Sequence, residues 1–266
     1  MKRIILILAI SSMCAGLHAG YREEVLADQP LVYYGLSESA GATVAVSVTN
    51  TAWNGTYVNN GFVTYGLSGT FSNGPNLCVG LTNTAYLTIP RAALVVHDSA
   101  NFTIEGWVRP RSAGMVNMLT YRHAGNSVDI QFFLAGGTEI SIWGGWYDKF
   151  LQHTISYQTD GSRWYHVAWT REGSTFRTYT NGALVATTTS TADLSSPDSG
   201  YNYRMGTAGG YGFETQFYYG DVDELAFYDH ALGAARLNEH YTKAFVPEPS
   251  LPLVIAASLM VRRRRA

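Results

Sequence analysis

The fold is decided by a stretch that begins Trp164-Tyr165-His166-Val167-Ala168-Trp169-Thr170 and turns at Glu172-Gly173-Ser174. It continues as Thr175-Phe176-Arg177-Thr178-Tyr179-Thr180, turns at Asn181-Gly182 and returns as Leu184-Val185-Ala186-Thr187. Runs rich in Val, Thr and aromatic residues favour strands, and Asn-Gly between two such runs is a strong signal for a two-residue hairpin. Because these turns join neighbouring strands antiparallel, the stretch predicts a meander rather than βαβ units.

A second strand, residues 102–109, can be assigned face by face because successive side chains of a strand point to opposite sides. One face carries the apolar residues Phe102, Ile104 and Val108. The other face carries Thr103, Glu105, Trp107 and Arg109. Only 14% of the chain is charged, helical periodicity is scarce and no internal repeat is visible, so the sequence predicts one all-β domain.

Four motifs extend this pattern in chain order: Asp28 to Glu38 (DQPLVYYGLSE), Phe102 to Pro110 (FTIEGWVRP), Asp160 to Gly182, and Gly220 to Leu232. Together they resemble the bacterial LamG-like jelly-roll family. The resemblance implies a concanavalin A-like sandwich of two antiparallel sheets, with a short helix near residues 233–241.

The first nineteen residues have the three-part layout of a secretory signal peptide. Lys2 and Arg3 precede the apolar run Ile4 to Ile10, and small residues lead to Ala19. We expect cleavage before Gly20, although Cys14 leaves a lipoprotein alternative. The segment 1–19 is therefore set apart from the fold.

The last twenty-one residues, 246–266, form a second segment outside the fold. Pro247, Glu248 and Pro249 precede the apolar run Leu251 to Val261, and Arg262, Arg263, Arg264 and Arg265 follow it. The segment resembles the PEP-CTERM signal of Gram-negative bacteria. The resemblance implies processing by an exosortase, export, and delivery to the cell surface or extracellular matrix. Eleven apolar residues fall short of the roughly 20 of a full membrane span, so we expect only transient anchoring in the inner membrane, with the arginines on the cytoplasmic side.

The remaining body, residues 20–245, is acidic. Without the basic residues and Glu248 of the two terminal segments it contains 12 Lys and Arg against 19 Asp and Glu, a net charge of −7. This charge argues against nucleic acid and against an anionic membrane face as partners. Cys78 is the one cysteine of the body, so an internal disulfide is excluded, and we expect a small buried side chain there.

The closing strand contains the acidic run Asp221-Val222-Asp223-Glu224-Leu225. Glycosidases flank the sugar bond with paired carboxylates, and laminarinase-type enzymes of this fold carry a third acid where Leu225 stands here. A period of two also places Glu224 on the face opposite Asp221 and Asp223. The strand therefore predicts a protein without catalytic residues, and a glycan hydrolase is the least favoured alternative.

Asp223 is a candidate calcium ligand, because many LamG-like and pentraxin-like domains bind Ca²⁺ through acidic side chains and loop carbonyls. The acidic or Asn-rich stretch that such domains show after the first strand is missing, and Val46 stands where its aspartate is expected. The alternative is a structural role for Asp223, bonded to backbone amides and arginines.

The best candidate for ligand binding is the run Trp143-Gly144-Gly145-Trp146-Tyr147-Asp148. Trp143, Trp146 and Tyr147 can stack on sugar rings while Asp148 bonds hydroxyl groups. The alternative is packing at the rim of the core, since Trp and Tyr often keep one edge in water. A second loop, Gly209 to Phe213, is similar in composition.

Three functions remain open from the sequence. The first is an exported, noncatalytic module that binds extracellular polysaccharide or mediates adhesion. The second is a purely structural surface protein, and the third is a glycan hydrolase. The fold does not decide among them, because function depends on the site and not on the scaffold.

Overall fold

The computed structural model describes residues 20–71, 76–93, 99–122, 128–144, 148–191, 194, 202–208 and 215–245. The predicted signal peptide and sorting segment lie outside these residues, as do Trp146, Tyr147, the tripeptide Pro247 to Pro249 and the arginines 262–265. Within the described ranges, no helix combines the length and apolar character needed to cross a membrane.

The described residues form sixteen strands and two α-helices. The strands are β1 (Val32–Tyr34), β2 (Val44–Ala45), β3 (Gly55–Val58), β4 (Val63–Ser68), β5 (Leu77–Leu81), β6 (Tyr86–Ile89), β7 (Asn101–Pro110), β8 (Val116–Arg122), β9 (Val128–Ala135), β10 (Glu139–Gly144), β11 (Asp148–Thr154), β12 (Tyr165–Glu172), β13 (Thr175–Thr180), β14 (Ala183–Thr189), β15 (Tyr203–Met205) and β16 (Gly220–Tyr228). The helices are α1 (Tyr21–Ala27) and α2 (Ala234–Lys243), and single 3₁₀ turns occur at Thr51–Trp53, Asn60–Phe62 and Arg91–Ala93.

Two antiparallel sheets make a sandwich. Sheet A has the order β14-β13-β12-β7-β16-β5-β4, with β1 beside β16, and sheet B has the order β11-β10-β9-β8-β15-β6-β3-β2. The predicted meander is confirmed as β12, β13 and β14. Its hairpin turn has Asn181 at φ 50° and Gly182 at φ 74°, the positive angles that a primed turn requires. The fold class predicted from the sequence is therefore correct.

The main core lies between the sheets. Phe102, Ile104 and Val108 of β7 point into it, as the alternation in the sequence predicted. Phe132 of sheet B meets Trp169 of sheet A with ring centroids 6.0 Å apart, and side chains of this size bury about 150–250 Å² each. Cys78 is unpaired and buried, in agreement with its predicted role.

A second apolar cluster covers the outer face of sheet A. Tyr21 and Val25 of α1 and Leu237 of α2 pack there on Trp107. Arg236 joins the two helices, with its Nε 2.6 Å from Asp28 Oδ2 and its Nη1 2.7 Å from Glu24 Oε2. The helix predicted near residues 233–241 is confirmed as α2. Helix α1 was not predicted, because seven residues are too few to show a clear helical period. We call α1 and α2 together the helical cover.

Candidate functional site

A row of opposed residues crosses sheet B at right angles to its strands. Directly paired positions link each member to the next across five strand spacings. The members are Trp143 (β10), Gln131 (β9), Thr120 (β8), Arg204 (β15), Thr88 (β6) and Thr56 (β3). At about 4.8 Å per spacing the row is about 24 Å long. We call it the transverse row.

The transverse row lies on the outer face of sheet B. Four of its members stand between two residues that point into the main core. These flanking pairs are Ile130 and Phe132 around Gln131, Leu119 and Tyr121 around Thr120, Tyr203 and Met205 around Arg204, and Leu87 and Ile89 around Thr88. Because side chains alternate along a strand, the residue between each pair points away from the core.

The middle of the row offers the neutral hydrogen-bonding groups of Gln131 and Thr120 beside the charged guanidinium of Arg204. The Gln131 amide donates to Asn117 Oδ1 at 2.5 Å, and the Asn117 amide donates to the carbonyl of Gln216 at 2.9 Å. The Thr120 hydroxyl is buried and has no hydrogen-bond partner in the part of the chain that the structure describes. A buried hydroxyl without a partner costs free energy that a bound polar group can recover. Among the members of the row, Thr120 therefore gains the most free energy from a hydrogen bond to a ligand.

The solvent exposure of the side chains differs along the transverse row. Thr56 is exposed, while Thr88 and Trp143 are half-buried. Thr120 and Gln131 are each only 1% exposed. A ligand can thus reach both ends of the row in this conformation, and full contact along the row requires that the groups above its middle move aside.

The Trp143 end of the transverse row also carries a second aromatic ring and fixed polar groups. The Trp143 ring meets Phe133 edge to face, with centroids 5.2 Å apart. Beside it, Glu139 accepts hydrogen bonds from Ser141 Oγ at 2.5 Å and from Gln152 Nε2 at 2.9 Å. A flat ring beside fixed polar groups is the usual composition of a small-molecule site.

The structure places only one of the four predicted ligand-binding side chains. Trp143 lies on the transverse row. Trp146 and Tyr147 fall outside the described residues, and Asp148 is described only as the backbone partner of Gly144 in the β10–β11 hairpin. The second aromatic loop, Gly209 to Phe213, also lies outside the described residues. Apart from Trp143, the predicted site stays a prediction.

The outer face of sheet A carries charge instead. Glu105 is fully buried and accepts hydrogen bonds from Tyr228 Oη, from His166 Nε2 at 2.9 Å and from His240 Nδ1 at 3.0 Å. Burial alone would raise the pKa of Glu105. The attraction of His240 and the hydrogen bonds from His166 and His240 outweigh burial and hold this pKa well below its usual range. Glu105 is therefore ionised beneath the helical cover.

A β-bulge in β16 changes the direction in which Glu224 was predicted to point. Glu224 adopts φ 52°, and the pairing with β7 shifts register between Asp223 and Ala226. Val222 and Leu225 both point into the core, so Asp223 and Glu224 between them share the outer face. The prediction that Glu224 faces away from Asp223 is wrong, because a bulge breaks the two-residue period.

These two carboxyls are buried together. Tyr33 Oη donates to Glu224, Asn76 Nδ2 lies 3.3 Å from Glu224 Oε1, and the backbone N–H of Thr70 donates to Asp223 Oδ2 at 3.0 Å. Burial raises the pKa of Asp223 to about 7 and that of Glu224 to about 8. The hydrogen bonds from Thr70 partly offset this effect at Asp223.

The fit of a calcium ion at Asp223 can be judged from its neighbours. Asp223 Oδ1 is buried and finds no hydrogen-bond partner among the described side chains and backbone, which leaves one oxygen for a ligand. Nearby Asp221 is bound to Arg109 Nε at 2.6 Å and Arg111 Nη2 at 2.8 Å. No group of three acidic, His or Cys side chains suited to a metal occurs among the described residues. The side chains described here do not by themselves make a calcium site.

The transverse row was missed in the sequence analysis, although a signal was present. Four strands carry a single polar residue between two apolar ones: Ile130-Gln131-Phe132, Leu119-Thr120-Tyr121, Tyr203-Arg204-Met205 and Leu87-Thr88-Ile89. Each triplet predicts an outward polar side chain. That the four align in one row depends on strand order and register, which no triplet contains.

Comparison with known proteins assigns the chain to a family. Residues 81–238, more than half of the chain, match the family Laminin_G_3, described as the concanavalin A-like lectin/glucanases superfamily. A comparison with curated protein sequences found no match.

Two solved structures show how far the similarity extends. Domain 4 of a GH43 extracellular arabinanase from Geobacillus stearothermophilus, in complex with arabinotriose, is 16% identical with a TM-score of 0.54, over 80% of this chain and 98% of that domain. A mutant Trypanosoma rangeli sialidase displaying trans-sialidase activity is 14% identical with a TM-score of 0.56, over 81% of this chain and 33% of the sialidase. This chain therefore spans about one third of that enzyme. These likenesses show the fold, which is shared by carbohydrate-binding and glycosidase proteins. By the family match, the chain belongs to the concanavalin A-like lectin/glucanases superfamily.

Proposed function

We propose that this domain is a noncatalytic carbohydrate-binding module that holds an extended glycan along the transverse row. The observation that carries the proposal is the row itself, with an aromatic ring at one end and amide, hydroxyl and guanidinium groups along a straight line of about 24 Å. Rings stack on the apolar faces of sugars, and neutral donors and acceptors match sugar hydroxyls.

The structural neighbours support a binding role. The arabinanase domain matches over nearly its whole length and was solved with a bound oligosaccharide. A single domain of this fold can thus hold a sugar chain. The sialidase matches over a third of its length, so its activity as a whole enzyme is a poor guide to this chain.

The positions of the carboxyls favour binding over hydrolysis. A glycosidase needs two carboxyl groups at the scissile bond. None of the six members of the transverse row is acidic. Glu105 and Asp223 are fully buried and Glu224 is 5% exposed, all on the outer face of sheet A with the helical cover above it. A sugar bond cannot reach these groups while the cover is in place.

The same proposal includes the path to the cell surface. The signal peptide layout of residues 1–19 and the Pro-Glu-Pro segment with its arginine block support export and processing by an exosortase in a Gram-negative-type bacterium. The partners would then be the processing enzyme and an extracellular polysaccharide. A role as a structural surface protein, without a ligand, is the alternative.

A glycan-array screen of the mature protein tests the binding role. We expect retention that weakens at least tenfold in Trp143→Ala and in Trp146→Ala, while Tyr219→Ala, which removes an exposed ring outside the row, leaves it unchanged. The screen is run with calcium and again with a chelator. Retention lost on chelation would support the predicted metal role of Asp223. Silence in both conditions would favour the structural alternative.

A further inference from the structure

His240 joins the helical cover to sheet A. It lies on α2 and is completely buried. Its Nδ1 is 3.0 Å from Glu105 Oε1 on β7, and its Nε2 is 3.0 Å from Asp28 Oδ2, just beyond α1. The second contact is an ion pair and not a well-aligned hydrogen bond. One imidazole therefore stands between two carboxylates from two different elements.

The remaining titratable groups around His240 come from every packed element. From α2 itself Arg236 carries a positive charge that opposes protonation. From α1 the Tyr21 ring meets His240 edge to face at 6.0 Å. From sheet A the His166 imidazole and the Tyr228 hydroxyl bind the same Glu105 carboxylate. Arg236 is shared by Asp28, Glu24 and Glu239, and Lys243 pairs with Glu24. With Glu105, four carboxylates therefore face two fixed cations, so a proton on His240 reduces the excess negative charge.

We propose that the proton on His240 locks the helical cover onto sheet A, and that loss of this proton at alkaline pH releases the cover and exposes the carboxyls beneath it. The neutral imidazole has one N–H and can donate to only one of its two carboxylate neighbours. At the other contact, the carboxylate then faces the lone pair of the unprotonated ring nitrogen. The lock is independent of the proposed glycan binding.

The direction of the pH dependence follows from the charges. Burial works to lower the pKa of His240, but the attraction and hydrogen bond of Glu105 outweigh it, so the pKa is raised above its ordinary value of 6.5. A raised histidine pKa stabilises the closed cover fully below about 6.5, and the stabilisation is lost as pH rises to the closed-state pKa. In that window the closed state weakens by up to about tenfold per pH unit.

Hydrogen–deuterium exchange of the full protein tests the lock. We expect the protection factors of α1 and α2 amides, corrected for intrinsic exchange, to fall at least tenfold between pH 6 and pH 9. Those of β12 should fall less than those of α1 and α2. His240→Gln should reduce this pH dependence severalfold, and the remainder should come from Asp223 and Glu224 beneath the cover. The matched control His230→Gln, which alters an exposed histidine paired with Asp229, should retain the pH dependence in full. Constant protection of α1 and α2 in the wild type would overturn the proposal.

A second variant separates His240 from the other buried groups that titrate in this window. If the pH dependence persists in full in His240→Gln and disappears in Asp223→Asn/Glu224→Gln, the acid pair and not the histidine controls the cover, and the proposal is wrong. If His240→Gln does not fold, an NMR titration of the wild type decides. A His240 pKa above 6.5 supports the lock, and a value below 6.5 overturns it.

Discussion

The two outer faces of the sandwich bury different kinds of polar group. On sheet A the helical cover encloses ionisable side chains: Glu105 with its two histidines, and the pair Asp223 and Glu224. On sheet B the transverse row presents an amide, hydroxyls, one guanidinium (Arg204) and an aromatic ring but no carboxyl group, and no described helix packs over it. The buried carboxyls with shifted pKa values, Glu105, Asp223 and Glu224, therefore occur on the face that is sealed. Perturbed titration often marks functional sites, but here burial explains the raised pKa values of Asp223 and Glu224, and the two neighbouring histidines explain the lowered pKa of Glu105.

The largest expected effect is on the charged face. Glu105→Gln leaves His166 and His240 without their buried carboxylate, and breaking a buried ion pair in this way costs about 3–5 kcal/mol. Chemical denaturation at pH 7 should show this loss. The depressed pKa of Glu105 has a further consequence, because its stabilisation is present above the ordinary value of 4.5 and is lost as the wild type is acidified.

The control for Glu105 is Glu172→Gln, which breaks the exposed pair with Arg177 at 3.0 Å and should cost less than about 1 kcal/mol. Glycan retention by folded Glu105→Gln protein should match the wild type, because Glu105 and the transverse row lie on opposite faces. If folded Glu105→Gln protein lost glycan retention, the two outer faces would be energetically coupled, and the contrast between them would be wrong.

An effect of similar size and opposite sign concerns Asp223 and Glu224. Their raised pKa values mean that the folded protein keeps protons that the unfolded chain has lost. Stability is therefore fully present below about pH 4 and declines toward pH 7 to 8, by up to about 1.4 kcal/mol per pH unit for each group. Asp223→Asn and Glu224→Gln remove the charge, so each variant should be more stable than the wild type at pH 8.

Denaturation midpoints at pH 5 and pH 8, without added calcium and again with it, measure this difference. Variants that are less stable than the wild type at pH 8 would contradict the expectation. If that result appears only when calcium is present, a bound cation holds the carboxylates in their charged form, and the calcium prediction for Asp223 gains its first support.

The smallest expected effect concerns one buried hydroxyl on each outer face, that of Thr120 on sheet B and that of Thr170 on sheet A. Thr120 and Thr170 are both buried, and within the described ranges both hydroxyls lack a hydrogen-bond partner. Thr120 lies on the transverse row, and Thr170 follows the core residue Trp169 and so faces outward from sheet A. Replacing either by valine should leave stability unchanged or slightly raised, because no hydrogen bond is lost. Thr120→Val alone should weaken glycan binding, by about fivefold for one hydrogen bond of roughly 1 kcal/mol. Isothermal titration of both variants with the glycan found on the array measures it, and equal affinities would remove Thr120 from the site.

The sequence predicted what depends on local pattern. The two faces of residues 102–109, the Asn181-Gly182 hairpin and helix α2 follow from side-chain alternation, turn chemistry and family resemblance. The bulge at Glu224 was not predictable from a strict period of two. The transverse row was not predictable either, because β15 enters sheet B between β8 and β6, which are far from it in sequence. Pairings between distant segments are decided by packing of the whole domain.

The helical cover also determines how the domain is oriented relative to a tether at either end of the chain. Its two helices, one before β1 and the other after β16, lie side by side on the back of sheet A, and Arg236 ties them together. Chain that precedes α1 and chain that follows α2 therefore leave from the same side. A domain tethered at either end would lie with the helical cover toward its tether, so that the outer face of sheet B is turned to the surroundings and the tether is out of the path of an approaching polymer.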